Sequence, residues 1–172
     1  WFTAHGRDYP WRRTTDPWAV LVSEIMLQQT TIPTVLGRYE AWMQQFPTPA
    51  ALAAADEATA LRSWEGLGYY SRARNLQKTA KLIVERGSFP DTYEELLKLP
   101  GVGDYTASAV AAIAFGRREP AVDGNVLRVV TRITDCHDDI LDPKVKKRIR
   151  GQLQEIMPEE EADIRIFNQS VM

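Results

Sequence analysis

The chain has 172 residues, 44% of them hydrophobic and 26% charged, with a formal net charge of -2. That length can bury one core or two small halves sharing a groove; no apolar run approaches the ~18 residues of a membrane span, and no secretory signal is evident. The acidic balance excludes a simple basic nucleic-acid binder, and a single cysteine, Cys136, excludes a disulfide framework or an all-cysteine metal site within the chain, as expected of a reducing compartment.

The charge is unevenly spread. Between positions 62 and 86 stand six bases (Arg62, Arg72, Arg74, Lys78, Lys81, Arg86) against two acids (Glu65, Glu85), a local balance of +4. Acids cluster at 158–163 and 135–142. Helical periodicity dominates and no strand alternates convincingly, so the expected class is all-α. Asp16-Pro17 pairs a capping oxygen with a proline at the first helical position and opens a helix over 17–29. Thr48-Pro49 repeats the signal before a short alanine-rich helix. Asp56 caps a helix ending at Gly66, and Ser71 starts a longer one that stops near Gly87. Thr92 and Glu95 have capping-box spacing ahead of 93–99. After Leu99-Pro100-Gly101-Val102-Gly103-Asp104 comes an alanine-rich helix ending at Gly116. Further helices are expected over 124–133, over 143–157 and from 163 past the end. Trp1 in place of Met, and an amphipathic last segment over 164–172, are expected of a piece of a longer protein.

Leu99-Pro100-Gly101-Val102-Gly103 between two helices is the most specific local signal. Its glycines permit positive φ and close backbone approach, and the amides entering the second helix favour an anion such as a DNA phosphate. An ordinary tight turn between helices is the competing interpretation. Glu24, three and four residues from Leu21 and Val20 and three before Leu27, lies on an apolar stripe, where a carboxylate is costly unless paired or protonated. Desolvation would raise its pKa and suit it to general-acid work; a structural pair with an arginine is the alternative. Asp123, in Val122-Asp123-Gly124-Asn125-Val126, stands at a helix start. There it serves as an N-cap, and the helix dipole keeps it ionised. One protonated and one charged carboxyl are what cleavage of an N-glycosidic bond requires.

Pro10-Trp11-Arg12, Ser23-Glu24-Ile25-Met26-Leu27-Gln28-Gln29-Thr30, the run from Trp64 to Asn75, the hairpin, Val122 to Val126, and Phe167-Asn168-Gln169 together resemble the adenine DNA glycosylases of the helix-hairpin-helix superfamily. The resemblance spans nearly the whole chain. It implies a helix-hairpin-helix DNA glycosylase fold, two helical halves flanking a DNA groove, and removal of adenine opposite guanine or 8-oxoguanine in double-stranded DNA. By position, Glu24 is the acid that protonates adenine at N7 and helps activate water, and Asp123 is the carboxylate supporting the deoxyribosyl cation. Tyr105 and Asn125 stand beside them. Arg7, Trp11, Arg12 and Gln169 match positions around the extruded base, with core aromatics or solvated cations as the plainer alternatives. Gln29 and Tyr69 match wedges inserted into the base stack, with Leu27 and Gln28 close to the minor groove. Gly66 and Gly68 let their loop approach the duplex, Arg72 and Arg74 meet phosphates, and Gly101, Val102 and Gly103 form the backbone-binding hairpin.

Two rivals remain. An endonuclease III-type glycosylase/lyase uses a lysine amine after the hairpin, and no lysine occurs between Lys98 and Lys144. A non-catalytic DNA-binding module would have no need for both Glu24 and Asp123. The resemblance further implies a 4Fe-4S cluster held by four cysteines beyond Met172, none of which is present, so no metal ligand is assigned. A six-helix barrel is expected over 16–116, with 1–15 and 117–172 forming the second half. The expected protein is a monomer without membrane association, cytoplasmic or at the nucleoid in a prokaryote, nuclear or mitochondrial in a eukaryote.

Overall fold

The computed structural model describes residues 2–171, leaving Trp1 and Met172 outside. Every regular element among the described residues is helical: α1 (Phe2–His5), a single 3-10 turn (Pro10–Arg12), α2 (Pro17–Leu27), α3 (Ile32–Gln45), α4 (Pro49–Ala54), α5 (Glu57–Ser63), α6 (Ser71–Arg86), α7 (Tyr93–Leu96), α8 (Asp104–Phe115), α9 (Gly124–Ile133), α10 (Pro143–Ile156) and α11 (Glu161–Val171). The caps act locally as the sequence predicts. Asp16, Thr48, Asp56 and Thr92 accept from the amides of Trp18, Ala51, Thr59 and Glu95, satisfying donors that open helix ends leave orphaned. Gly87 and Gly116 close α6 and α8 in the left-handed conformation.

Helix α3 has no counterpart among the predicted elements. Its cap, Thr31, meets the Thr34 hydroxyl at 3.0 Å but caps no backbone amide, and only Val35, Tyr39 and Trp42 are buried, so local signals are weak and tertiary packing decides. Three predicted ends move inward, one of them at α7, which stops at Leu96 rather than at 99. Helix α2 stops at Leu27, because Gln29 turns into the left-handed region with φ 54°. Helix α5 stops at Ser63, after which Trp64 to Leu67 form successive turns. The 16–116 span holds six helices of six residues or more, plus the single turn of α7.

Helix α2 is buried on every side, from Trp18 to Met26, so Glu24 sits on a wholly buried helix rather than on one apolar stripe. It packs against α8, whose Ala107, Ala109 and Ala111 are buried in the same core. The main core gathers around this pair and takes in Tyr9 and Trp11 from the N-terminal strip, while α1 packs on α11. A smaller core joins Val126 and Leu127 of α9 to Val145, Ile149 and Leu153 of α10. Helix α8 also receives α11, with Ala112 packed against Met157 and Ile164. The helix after the hairpin thus contributes both to the main core and to this third cluster under α11.

Candidate active site

A cavity of about 400 Å3 opens where α2, α8, the start of α9 and the 3-10 turn meet. Glu24 reaches it from the middle of α2, Tyr105 from the first turn of α8, and Asp123 and Asn125 from the cap of α9. Trp11 and Arg12 come from the 3-10 turn, Gln169 from α11, and Leu27, Gln28 and Gln29 from the rim beyond α2. Sequence reasoning missed Tyr9 and Ser23, which also line it. Both flank recognised motif residues, and no local sequence signal marks either as facing a cavity. Arg7 is not among the lining residues. It is exposed, donates to the Tyr9 hydroxyl, and offers its carbonyl to the Arg12 guanidinium at 3.0 Å.

Glu24 is 8% exposed. Burial pushes its carboxyl up to about 7 from the ordinary 4.5; the hydrogen bond from Tyr105 pulls it down, the Asp123 charge adds to the rise, and Arg12 opposes it. Burial and the same carboxyls drive the Tyr105 phenol far upward, so it remains a donor. The alternative of a structural arginine pair does not hold, because no ion pair joins Glu24 to an arginine among the described residues. Asp123 accepts the backbone amides of Asn125 at 2.9 Å and Val126 at 2.8 Å on one oxygen, and the Asn125 side-chain amide at 3.0 Å on the other. The cap role and the cavity-facing role coexist. Arg12 lies 5.1 Å from the ring centres of both Phe2 and Tyr9, while Trp11 stacks on Tyr9 and meets Tyr39 edge-on. Trp11 is thus a core aromatic and a wall of the cavity at once.

A second depression, of about 430 Å3, is lined by Gln28, Gln29, Tyr69, Ser71 and Arg72. Gln29 (φ 54°) and Tyr69 (φ 45°) both hold left-handed backbone, and Tyr69 is 63% exposed. Non-glycine residues in that region cost about 1–3 kcal/mol each and gather at functional surfaces. Gly66 and Gly68 supply the positive φ of the Tyr69 loop. Gln28 points back to the hairpin, donating to Thr106 Oγ1 at 3.2 Å and the Gly101 carbonyl at 3.4 Å.

In the hairpin Gly101 has φ 78°, and an added Cβ would stand 3.0 Å from the Asn75 Cβ, so glycine is required there. Val102 is buried, while Gly101 and Gly103 face outward. Asp104, the first residue of α8, is held by the Tyr93 hydroxyl at 2.8 Å and by Lys146 and Arg150 of α10. These two cations neutralise its charge beside the hairpin and tie α8 to the smaller core.

The phosphate role expected of Arg72 is corrected. Its guanidinium is buried and donates to protein carbonyls rather than to solvent. Arg74 is exposed but ion-paired with Glu57, and Arg86 with Glu95. Three bases of this stretch are thus engaged within the protein, leaving Arg62, Lys78 and Lys81 exposed and outside any ion pair among the described residues.

A family profile described as HhH-GPD superfamily base excision DNA repair protein matches residues 22–158. The chain belongs to that superfamily. Among curated relatives, it is 43% identical to the human adenine DNA glycosylase, aligned over 100% of this chain and 33% of that protein. It is 45% identical to the adenine DNA glycosylase of Mycobacterium tuberculosis strain H37Rv, over 86% of this chain and 49% of that one. The chain thus spans a third to a half of the length of these relatives. The fold superposes on a thermostable thymine-DNA glycosylase with a TM-score of 0.87 at 26% identity, covering 99% of this chain and 79% of that one. A trapped endonuclease III-DNA covalent intermediate matches with a TM-score of 0.73 at 30% identity, over 89% and 71%. The all-α helix-hairpin-helix architecture expected from the residues is the one observed, and the HhH-GPD match runs from the α2 motif through the hairpin to the end of α10.

Proposed function

We propose that this chain is the catalytic core of a monofunctional DNA N-glycosylase that removes adenine mispaired with guanine or 8-oxoguanine in duplex DNA. The observation that carries the proposal is a carboxyl, Glu24, that keeps its proton near neutrality in the same cavity as Asp123. The adenine identity is supported by the 41–46% identities to curated adenine DNA glycosylases.

Extruded from the stack, the base enters between Trp11, Arg12 and Gln169. Glu24 gives its proton to N7 of adenine as the bond from C1′ to N9 breaks, the bonding electrons leaving with the base. Asp123, held by three donors, supports the positive charge that develops on the sugar. Glu24, now ionised and accepting from Tyr105, takes a proton from the water that adds to C1′. This division between two unlike carboxyls is shared with sugar hydrolases. No lysine lines the cavity among the described residues, so none of them places an amine there to form a Schiff base.

Double-stranded DNA sits with its backbone on the hairpin of Gly101, Val102 and Gly103, and with Gln29 and Tyr69 in the stack. A 4Fe-4S cluster does not fit these residues. One cysteine is present, and no group of three or more His, Cys, Asp or Glu among the described residues could hold a metal. Among the described residues no helix is long and apolar enough to cross a membrane, and the proposed reaction puts the protein with DNA, at the nucleoid or in the nucleus or mitochondrion.

Duplexes carrying A:G, A:8-oxoguanine and T:G mismatches, incubated with the intact protein, test the proposal. Free adenine from the first two is expected, with strands that break only on later alkali treatment. Release of thymine alone, or direct strand scission, contradicts it.

A further inference from the structure

We infer that Arg72 is a positioning residue that sets both DNA wedges and the end of the Glu24 helix through a single guanidinium; the inference rests on the glycosylase activity proposed above. One terminal nitrogen donates to the carbonyls of Ile25 at 3.0 Å, Met26 at 2.9 Å and Gln28 at 2.5 Å. The other donates to Thr30 Oγ1 at 2.9 Å and to the carbonyls of Leu67 at 2.7 Å and Gly68 at 3.1 Å. Three separate pieces of chain converge on it: the last turn of α2, the loop carrying Gln29, and the loop carrying Tyr69. The cation also lies over the Tyr69 ring at 5.6 Å and the Trp64 ring at 5.4 Å.

Each bond has a physical reason. Helix α2 ends without a glycine, so its final carbonyls lack amide partners, and an arginine side chain supplies them. Gln29 and Tyr69 are held in left-handed backbone, which persists only where the surroundings over-determine it. Arg72 bonds the residues immediately before each of them, Gln28 and Gly68. A planar fork with donors on two sides can grip both loops at once; a lysine ammonium, a point donor on a flexible stem, cannot. The α2 turn that Arg72 closes follows directly on Glu24, so the wedges and the acid share one anchor.

The test compares Arg72→Lys with Leu76→Ala, a core truncation one turn further along the same helix that removes none of the guanidinium's hydrogen bonds. Hydrogen exchange is read at 28–30 and 67–69 together with single-turnover adenine release. Release is measured from a paired A:G duplex and from adenine opposite an abasic site, where less unstacking is needed. In Arg72→Lys, exchange at both loops is expected to rise by about 10-fold with α8 unchanged, and release from the A:G duplex to fall by about 10-fold more than from the unpaired adenine. Thr30→Val, which removes one acceptor of the guanidinium together with the Thr30 hydroxyl's own bonds to the Gln28 and Leu67 carbonyls, shifts the same readouts in the same direction by less. Equal losses on both substrates, or a loop-exchange pattern matching Leu76→Ala, overturn the inference. If the wild-type protein releases no adenine, the activity proposal fails, and the exchange data alone decide the role of Arg72.

Discussion

The Tyr105 hydroxyl donates to the Glu24 carboxyl across the contact between α8 and α2. The bond favours the ionised acid, burial favours the neutral one, and burial wins. Tyr105→Phe removes the weaker influence, so the Glu24 carboxyl rises further. The alkaline limb of the excision rate, set by loss of the Glu24 proton, moves up by about one pH unit, and the plateau falls by about 10-fold as the acid loses its orienting partner. Single-turnover rates from pH 5 to 9 check both effects.

Glu24→Gln slows adenine release by about 1,000-fold, the scale of general acid-base assistance. It also changes stability with a defined sign. The folded value near 7 lies above the ordinary 4.5, so as pH rises the unfolded chain releases this proton first. Wild-type protein therefore loses about 3 kcal/mol of stability between those two values, while glutamine loses none. At pH 8 the variant melts higher than wild type, and the two curves meet as pH falls below 4.5; thermal melts across that range show it.

Asp123→Asn separates capping from chemistry. Asparagine caps a helix about as well as aspartate, so stability stays within about 0.5 kcal/mol, whereas loss of the charge that supports the sugar cation costs at least about 100-fold in rate. A melt and a single-turnover assay on one preparation distinguish the two roles.

Tyr69→Gly relieves a left-handed tyrosine that is mostly solvent-exposed. Stability is expected to hold or rise, by up to about 1 kcal/mol, while excision from a stacked mismatch drops by at least about 10-fold. Denaturant midpoints and fluorescence of 2-aminopurine in the target position measure the two outcomes.

Gly101→Ala places a methyl group against Asn75 on backbone that disfavours side chains. The expected cost is about 1–2 kcal/mol of stability, with duplex binding weakened regardless of sequence, since the hairpin contacts backbone rather than bases. Binding isotherms on matched and mismatched duplexes report that uniformity.

Much of the site was legible because its signals are local. Asp123 declares itself as a cap before Gly124-Asn125, Gly101 as a positive-φ turn, and Glu24 as a carboxyl among apolar neighbours. Arg72 was misread because a motif position shows a charge and not its acceptors, four of which come from a segment more than 40 residues away. Helix α3 escaped because Thr31 leaves its cap unfilled, and the helix is held by Tyr39 and Trp42 instead. Arg74 and Arg86 pair with Glu57 and Glu95, acids that lie outside the basic stretch in sequence, so its count of +4 overstates the unpaired charge.

The most direct test is a carbon-13 NMR titration of the Glu24 carboxyl in the intact protein. A midpoint near 7, well above the ordinary 4.5, is the result expected of an acid poised to protonate a leaving base. A midpoint at the ordinary value would show a solvated carboxylate with no proton to give, and the proposed chemistry would lose its acid.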